Sequence, residues 1–141
     1  MHAYLVHHAD AVPSLIDPQR PLSERGREHA EQLAAEARAA GVAPAAIWHS
    51  GKARARQTAE CFYRICSPFA EFKMVRGLGP DDPPEWIADA LSGETRDVML
   101  VGHIPNLSAL LELLAPASAP FPLHGLVALE WRNGWAELWR L

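Results

Sequence analysis

Over its first 115 residues the chain alternates short apolar runs with longer amphipathic segments, and this alternation restricts the fold more than any other property of the sequence. Residues 2–7, Ala46-Ile47-Trp48-His49, Phe72-Lys73-Met74-Val75 and Asp97-Val98-Met99-Leu100-Val101 have the length and side chains of strands. The segments between them read as helices. Ser23 is placed to cap one, with Glu24 in its first turn, Ala30, Leu33, Ala34 and Ala37 at helical spacing, and Gly41 at its end. A second helix runs from about Lys52 to Cys66, and a third starts at Pro83 or Pro84 and continues through Leu91. A fourth, Asn106 to Leu114, has a buried composition and stops at Ala115-Pro116. Strands separated by helices pair in parallel through crossovers, which predicts an α/β fold: a mostly parallel central sheet with helices on both faces. Gly125 to Trp131 and Trp135 to Leu141, joined by Asn133-Gly134, add a C-terminal antiparallel hairpin whose turn residues need positive φ. With 141 residues, 49% of them hydrophobic, one domain spanning 1–141 is expected, and it would bury roughly two-thirds of its unfolded surface.

The charge balance narrows the range of partners. A formal net charge of −4 gives no basic excess for an extended nucleic-acid footprint, so phosphate binding has to be local. No run approaches the roughly 18 apolar residues of a membrane span, and the start Met1-His2-Ala3 lacks a signal-type pattern, so a cytoplasmic protein without membrane contact is expected. Cys61 and Cys66 share a helix five residues apart, which reads as two reduced packing residues.

Ligands of parallel sheets lie at the carboxyl ends of strands. The first predicted strand ends in His7-His8, and the fourth runs into Gly102-His103-Ile104-Pro105. The second is followed by Ser50-Gly51-Lys52-Ala53-Arg54-Ala55-Arg56-Gln57-Thr58, which opens a helix with a cationic cluster. Two strand-end imidazoles and a guanidinium at a helix start suit a phosphoryl group. Arg54 and Arg56 are two residues apart and therefore about 200° apart around a helix, so only one of them can face a pocket. No histidine pair has the helical spacing typical of zinc ligands, and no metal site is expected.

The order of these motifs, strand-His-Ala, then Ser-x-x-x-Arg-Ala-x-Gln-Thr-Ala, then strand-Gly-His-x-Pro, resembles the histidine phosphatase (phosphoglycerate mutase-like) superfamily. The short length and the segment Arg20-Pro21-Leu22-Ser23-x-x-Gly26 make the chain similar to its small SixA-type phosphohistidine phosphatase branch. The resemblance implies that His8 is the nucleophile, attacking phosphorus through one ring nitrogen while the other donates to an oxygen. It makes Arg54 the main phosphate clamp and His103 a second donor to the transferring oxygens. His7 stands where the family has arginine, which makes it a further substrate-binding residue. A phosphate beside it would favour the protonated ring, giving a narrow bell-shaped pH profile with His7 as the upper limb. Strand alternation alone would instead point His7 away from His8.

The implied activity needs no cofactor and acts on a phosphohistidine-bearing phosphotransfer or signalling protein, with the chain a monomer or weak homodimer. Two alternatives are a phosphate- or phosphoprotein-binding module whose turnover has decayed with loss of the arginine, and a small-molecule phosphomonoesterase using Asp81 or Asp82 as acid. Asp81, Asp82, Glu85 and Asp10 are the carboxylates near the motifs, and none sits in an acid motif. Of the aromatic residues in the last hairpin, Trp135 or Trp139 is the candidate for an exposed partner surface. His2, His29, His49 and His124 have no motif context.

Overall fold

The computed structural model describes residues 1–141. In chain order the elements are β1 (His2–His7), α1 (Glu24–Ala39), β2 (Ala46–His49), α2 (Ala53–Cys66), β3 (Glu71–Met74), α3 (Glu85–Ser92), β4 (Val98–Gly102), α4 (Asn106–Leu114), β5 (Leu126–Trp131) and β6 (Trp135–Arg140). They form one six-stranded sheet in the order β3-β2-β4-β1-β5-β6. The first four strands pair in parallel, while β5 runs antiparallel to β1 and β6 antiparallel to β5. This is the α/β architecture with a C-terminal hairpin that the alternation predicts.

Pleating sends successive residues to opposite faces, and the core is split accordingly. Ala3, Leu5, Val98 and Leu100 pack with Ile87 and Leu91 of α3 and Leu107, Leu110 and Leu111 of α4. Tyr4, Val6, Met99 and Val101 pack with Leu33, Ala34 and Ala37 of α1 and Ala55, Ala59 and Phe62 of α2. Full burial of a leucine or valine side chain is worth about 1.5–3 kcal/mol, so the central strands, apolar on both faces, anchor the domain. At one edge β3 has four residues and an exposed lysine, Lys73, features that blunt pairing with other chains.

Ser23 caps α1 by accepting the Gly26 N–H at 3.0 Å, and Gly41 follows the helix end with φ +86°. The bounds of β3 and of the hairpin loop differ from the expectation. β3 lies one residue earlier than Phe72–Val75, because Glu71 pairs with Ala46 while Val75 donates to the His49 carbonyl beyond the strand end. The hairpin loop also includes Arg132, since Trp131 pairs directly with Trp135. Asn133 and Gly134 do both adopt positive φ, at 56° and 140°. A register shift between Ala128 and Leu129 sends Trp135 and Trp139 to opposite faces of the sheet, each packed against a different core cluster. The exposed tryptophan of the hairpin is Trp131, at 50%. No helix is long and apolar enough to cross a membrane.

Candidate active site

The carboxyl ends of β1 and β4 lie side by side, because His7 pairs with Gly102. His7 donates its N–H to the Gly125 carbonyl at 3.0 Å, and His8 donates to the Gly102 carbonyl at 3.1 Å. A Cβ on Gly102 would sit 3.0 Å from the Leu78 carbonyl oxygen, so glycine lets the loop after β3 pass over the end of β4. The pleat stops at His7. With alternation ended, the His7 and His8 rings meet, their centroids 4.4 Å apart and their planes tilted by 57°. The His103 ring lies 5.0 Å from that of His8. All three imidazoles are buried.

Two contacts fix the loop after His8 against the helix that carries Arg54. The Thr58 hydroxyl accepts the Ala9 N–H at 3.0 Å and donates to the Arg54 carbonyl at 2.8 Å. The Gln57 side-chain oxygen accepts the Leu22 N–H at 2.7 Å. Gly26 completes the arrangement on α1: a Cβ there would collide with the Asp10 carbonyl oxygen, so only glycine allows so close an approach.

The hydrogen bonds assign the ring protons. His8 Nδ1 lies 2.7 Å from the Ala9 carbonyl oxygen, which can only accept. The proton is therefore on Nδ1, and Nε2 keeps a free lone pair. Burial, opposed by that hydrogen bond and reinforced by Arg54, holds the His8 pKa down to about 4, so the ring is neutral at physiological pH. His103 Nε2 is 2.7 Å from the Ser50 hydroxyl, which also accepts the Lys52 N–H at 3.3 Å. His103 Nδ1, on the other side of the ring, is a buried atom with no partner. Burial, then His8 and Arg54, lowers the His103 pKa to about 3.

Arg54 is the site's main cation. Its Nε is buried without a partner, no carboxylate lies within ion-pair distance, and burial with Arg20 nearby lowers its pKa. Arg56 pairs with Glu60 at 3.7 Å and is exposed, yet it borders the same cleft as Arg54, against the expectation that only one of the two faces a pocket. A cleft of about 390 Å³ opens beside Arg54, lined also by Pro18, Gln19, Gly51, Lys52 and Arg56.

His7 faces the site, against the strand-alternation reading. Its Nδ1 accepts the His124 backbone N–H at 2.8 Å, which places its proton on Nε2. Burial first, then His8, His124 and Arg54, lowers its pKa to about 3. In the free protein, then, His7 is a neutral N–H donor, while the protonated ring expected from the sequence belongs to the site with phosphate beside it. His124 in turn sets its Nδ1 2.7 Å from the His8 carbonyl oxygen and stacks on His7 at 4.9 Å. One ring nitrogen each of His7, His8 and His124 lie within 4.8 Å of one another, a spacing that suggests metal ligation. With its proton on Nε2 and its Nδ1 engaged, His7 has no lone pair to offer a metal ion. Only His8 and His124 present free lone pairs in this arrangement.

Sequence reasoning passed over three residues of the site. Arg20 lies near enough for its charge to depress both His8 and Arg54, and its Nε donates to the Val12 carbonyl at 3.1 Å. Its position just before Pro21-Leu22-Ser23 was the available signal. Ser50 opens the cationic segment, but only the fold brings it to His103. His124 sits 117 residues from His7 and carries no local signal. The acidic candidates have other partners or lie outside: Asp10 accepts from Ser23 and pairs with Arg25, and Asp82 accepts from the Gly77 and Gly79 N–H groups. Asp81 and Glu85 are exposed.

Residues 14–73 match the histidine phosphatase superfamily (branch 1), a stretch that holds Arg20 and Arg54 while His8 and His103 lie outside it. A comparison with curated proteins finds no match. Among solved structures, one of a SixA phosphohistidine phosphatase assignment from Agrobacterium tumefaciens is 30% identical, with a TM-score of 0.82 over 99% of this chain and 97% of the other. The protein histidine phosphatase SixA complexed with tungstate superposes with a TM-score of 0.87 at 20% identity, covering 100% of this chain and 96% of the other. A SixA assignment from Nakamurella multipartitia gives a TM-score of 0.79 at 22% identity over 99% and 94% of the two chains. The last two likenesses concern the fold.

Proposed function

The chain belongs to the histidine phosphatase superfamily, and from that premise we propose that it hydrolyses phosphohistidine on a protein, without a metal, through a phosphohistidine formed on His8. The observation that supports this most is a pair of buried nitrogens without partners, Arg54 Nε and His103 Nδ1, beside a neutral imidazole with a free Nε2 lone pair. Buried polar groups are nearly always satisfied. An oxyanion at this position would satisfy both.

In the proposed reaction His8 Nε2 attacks phosphorus in line. The new P–N bond forms as the substrate's P–N bond breaks, and the leaving imidazole keeps the bonding pair and takes a proton from solvent. Ala9 holds the His8 Nδ1 proton throughout, so the ring's aim and tautomer do not change. Arg54, His103 and the Nε2–H of His7 donate to the non-bridging oxygens, where charge is rearranged in the transition state. Water then attacks the phosphoryl group, His8 departs with its electron pair, and inorganic phosphate carries away the water's protons.

The leaving group bears on the substrate class. An alkoxide needs a strong acid beside it, and here Asp10 and Asp82 are committed to loop and cap contacts. An imidazole departs readily once protonated by solvent. A phosphohistidine on a signalling or phosphotransfer protein in the cytoplasm is therefore favoured over a sugar or serine phosphate. The test is release of phosphate from several phosphohistidine proteins, from a simple aryl phosphate and from phosphoserine, each with and without chelator. Release from phosphohistidine alone, unchanged by chelator, is expected. Faster turnover of alcohol phosphates would overturn the substrate class, loss of activity with chelator would overturn metal independence, and binding of phosphoprotein without turnover would identify a binding module.

A further inference from the structure

We propose that His124 is a positioning residue that fixes the proton of His7 on Nε2, so that a neutral histidine serves as a permanent donor where relatives use an arginine. The inference rests on the phosphatase reading above for its effect on turnover, and on geometry for the rest.

Three contacts act together. The backbone N–H of His124 donates to His7 Nδ1 at 2.8 Å, and a backbone amide has no alternative but to donate. That nitrogen must then be the unprotonated one, and His7 Nε2 carries the hydrogen. The His124 side chain anchors the same loop by donating from Nδ1 to the His8 carbonyl oxygen at 2.7 Å. Its ring stacks face to face on His7, with an interplanar angle of 5°. This grip keeps His124 at φ +53°, a left-handed conformation disfavoured for most side chains and tolerated best by glycine, asparagine and aspartate. A residue held in that region by its own side-chain hydrogen bond, touching both strand-end histidines, has a positional role.

The consequence is chemical. A solvated imidazole exchanges its proton between two nitrogens and gains charge as pH falls. In this site the groups facing His7 are His8 just after β1, Arg54 on α2, His103 at the turn after β4, and His124 before β5. His29 of α1 meets His124 edge-on at 6.4 Å. None of these is an anion that would stabilise a charged His7. Tautomer control supplies the donor without a charge, and turnover then has no alkaline limb from His7 in the neutral range.

The His124 side chain reaches the His8 carbonyl through Cβ, Cγ and Nδ1, and asparagine reproduces that path with its amide N–H while tolerating the backbone. His124→Asn should therefore keep kcat/KM within about threefold of wild type, and its pH profile should be unchanged. His124→Ala should lose about tenfold at pH 8 and recover toward pH 6, as a released His7 protonates and donates from both nitrogens. Nitrogen-15 NMR of the wild-type imidazoles should show His7 protonated at Nε2 from pH 6 to 8, with and without tungstate. A wild-type His7 protonated at Nδ1 would overturn the proposal, whether or not any variant folds. So would identical pH profiles for His124→Ala and wild type, or equal losses in His124→Ala and His124→Asn. If no phosphate ester or phosphoramidate is turned over at all, the phosphatase reading fails while the NMR result still decides the tautomer.

Discussion

Replacing Arg54 with methionine separates what the guanidinium does for a phosphoryl group from what it does for the fold. In the free protein its Nε is buried and unpaired, no carboxylate compensates its charge, and Arg20 stands nearby. An unsatisfied buried donor costs about 1–3 kcal/mol. Since the rest of the side chain is only half-buried, about 1 kcal/mol is the reasonable share, and Arg54→Met should recover it. With an unfolding entropy of about 2.1 cal/mol/K per residue, a gain of that size in a domain this long raises Tm by about 3 °C. Turnover should move the opposite way. Loss of one preorganised donor costs about 10²–10³ in kcat, and a guanidinium supplies at least two, so a fall of about 10³ or more is expected. Arg54→Lys should lie between, keeping the charge but losing the fork. Arg56→Ala is the control: an exposed pair such as Arg56–Glu60 is worth about 0–1 kcal/mol, and activity should stay within about twofold. Single-turnover phosphate release and calorimetric Tm on the same four proteins decide the matter. Equal activity losses at Arg54 and Arg56, or a Tm that falls in Arg54→Met, would refute the argument that an anion is Arg54's missing partner.

Three further outcomes follow from the geometry. His8→Ala should abolish turnover with Tm little changed, and acid-labile phosphate should be trapped on His8 of the wild type after brief mixing with substrate; retained activity would remove the covalent step. His7, His8 and His103 have pKa values of about 3, 4 and 3, below the roughly 6.5 of an unfolded histidine. The unfolded chain therefore binds more protons between these limits, so stability is fully present above about pH 6.5 and is lost as pH falls, each ring contributing up to about 1.4 kcal/mol per pH unit. Urea unfolding at pH 7, 6 and 5 measures this, and a flat response would mean the rings are not buried neutral. Gly26→Ala should destabilise by about 1–3 kcal/mol, because its Cβ would meet backbone, the Asp10 carbonyl, and not a side chain that can turn away; an unchanged urea midpoint would show that the Asp10 loop is free to move.

Much of this protein is determined locally and so can be read along the chain. The alternation of short apolar runs with amphipathic stretches leaves few arrangements besides a parallel sheet covered on both faces. The Ser23 cap and the Asn133-Gly134 turn follow from conformations that only certain residues adopt. His8, Arg54 and His103 were accessible for the same reason, since each stands at the carboxyl end of a strand or the start of a helix beside its own motif. What the sequence could not settle was which way His7 points and which protonation state it holds. Its direction depends on where the pleat of β1 stops, a matter of pairing with Gly102 at the end of β4 and Gly125 just before β5. Its proton is placed by the amide of His124, 117 residues away, in a loop with no motif. Composition and periodicity report on neighbours a few residues apart. A tautomer is set by whichever backbone group the fold brings within 3 Å, and only the tertiary structure makes that choice.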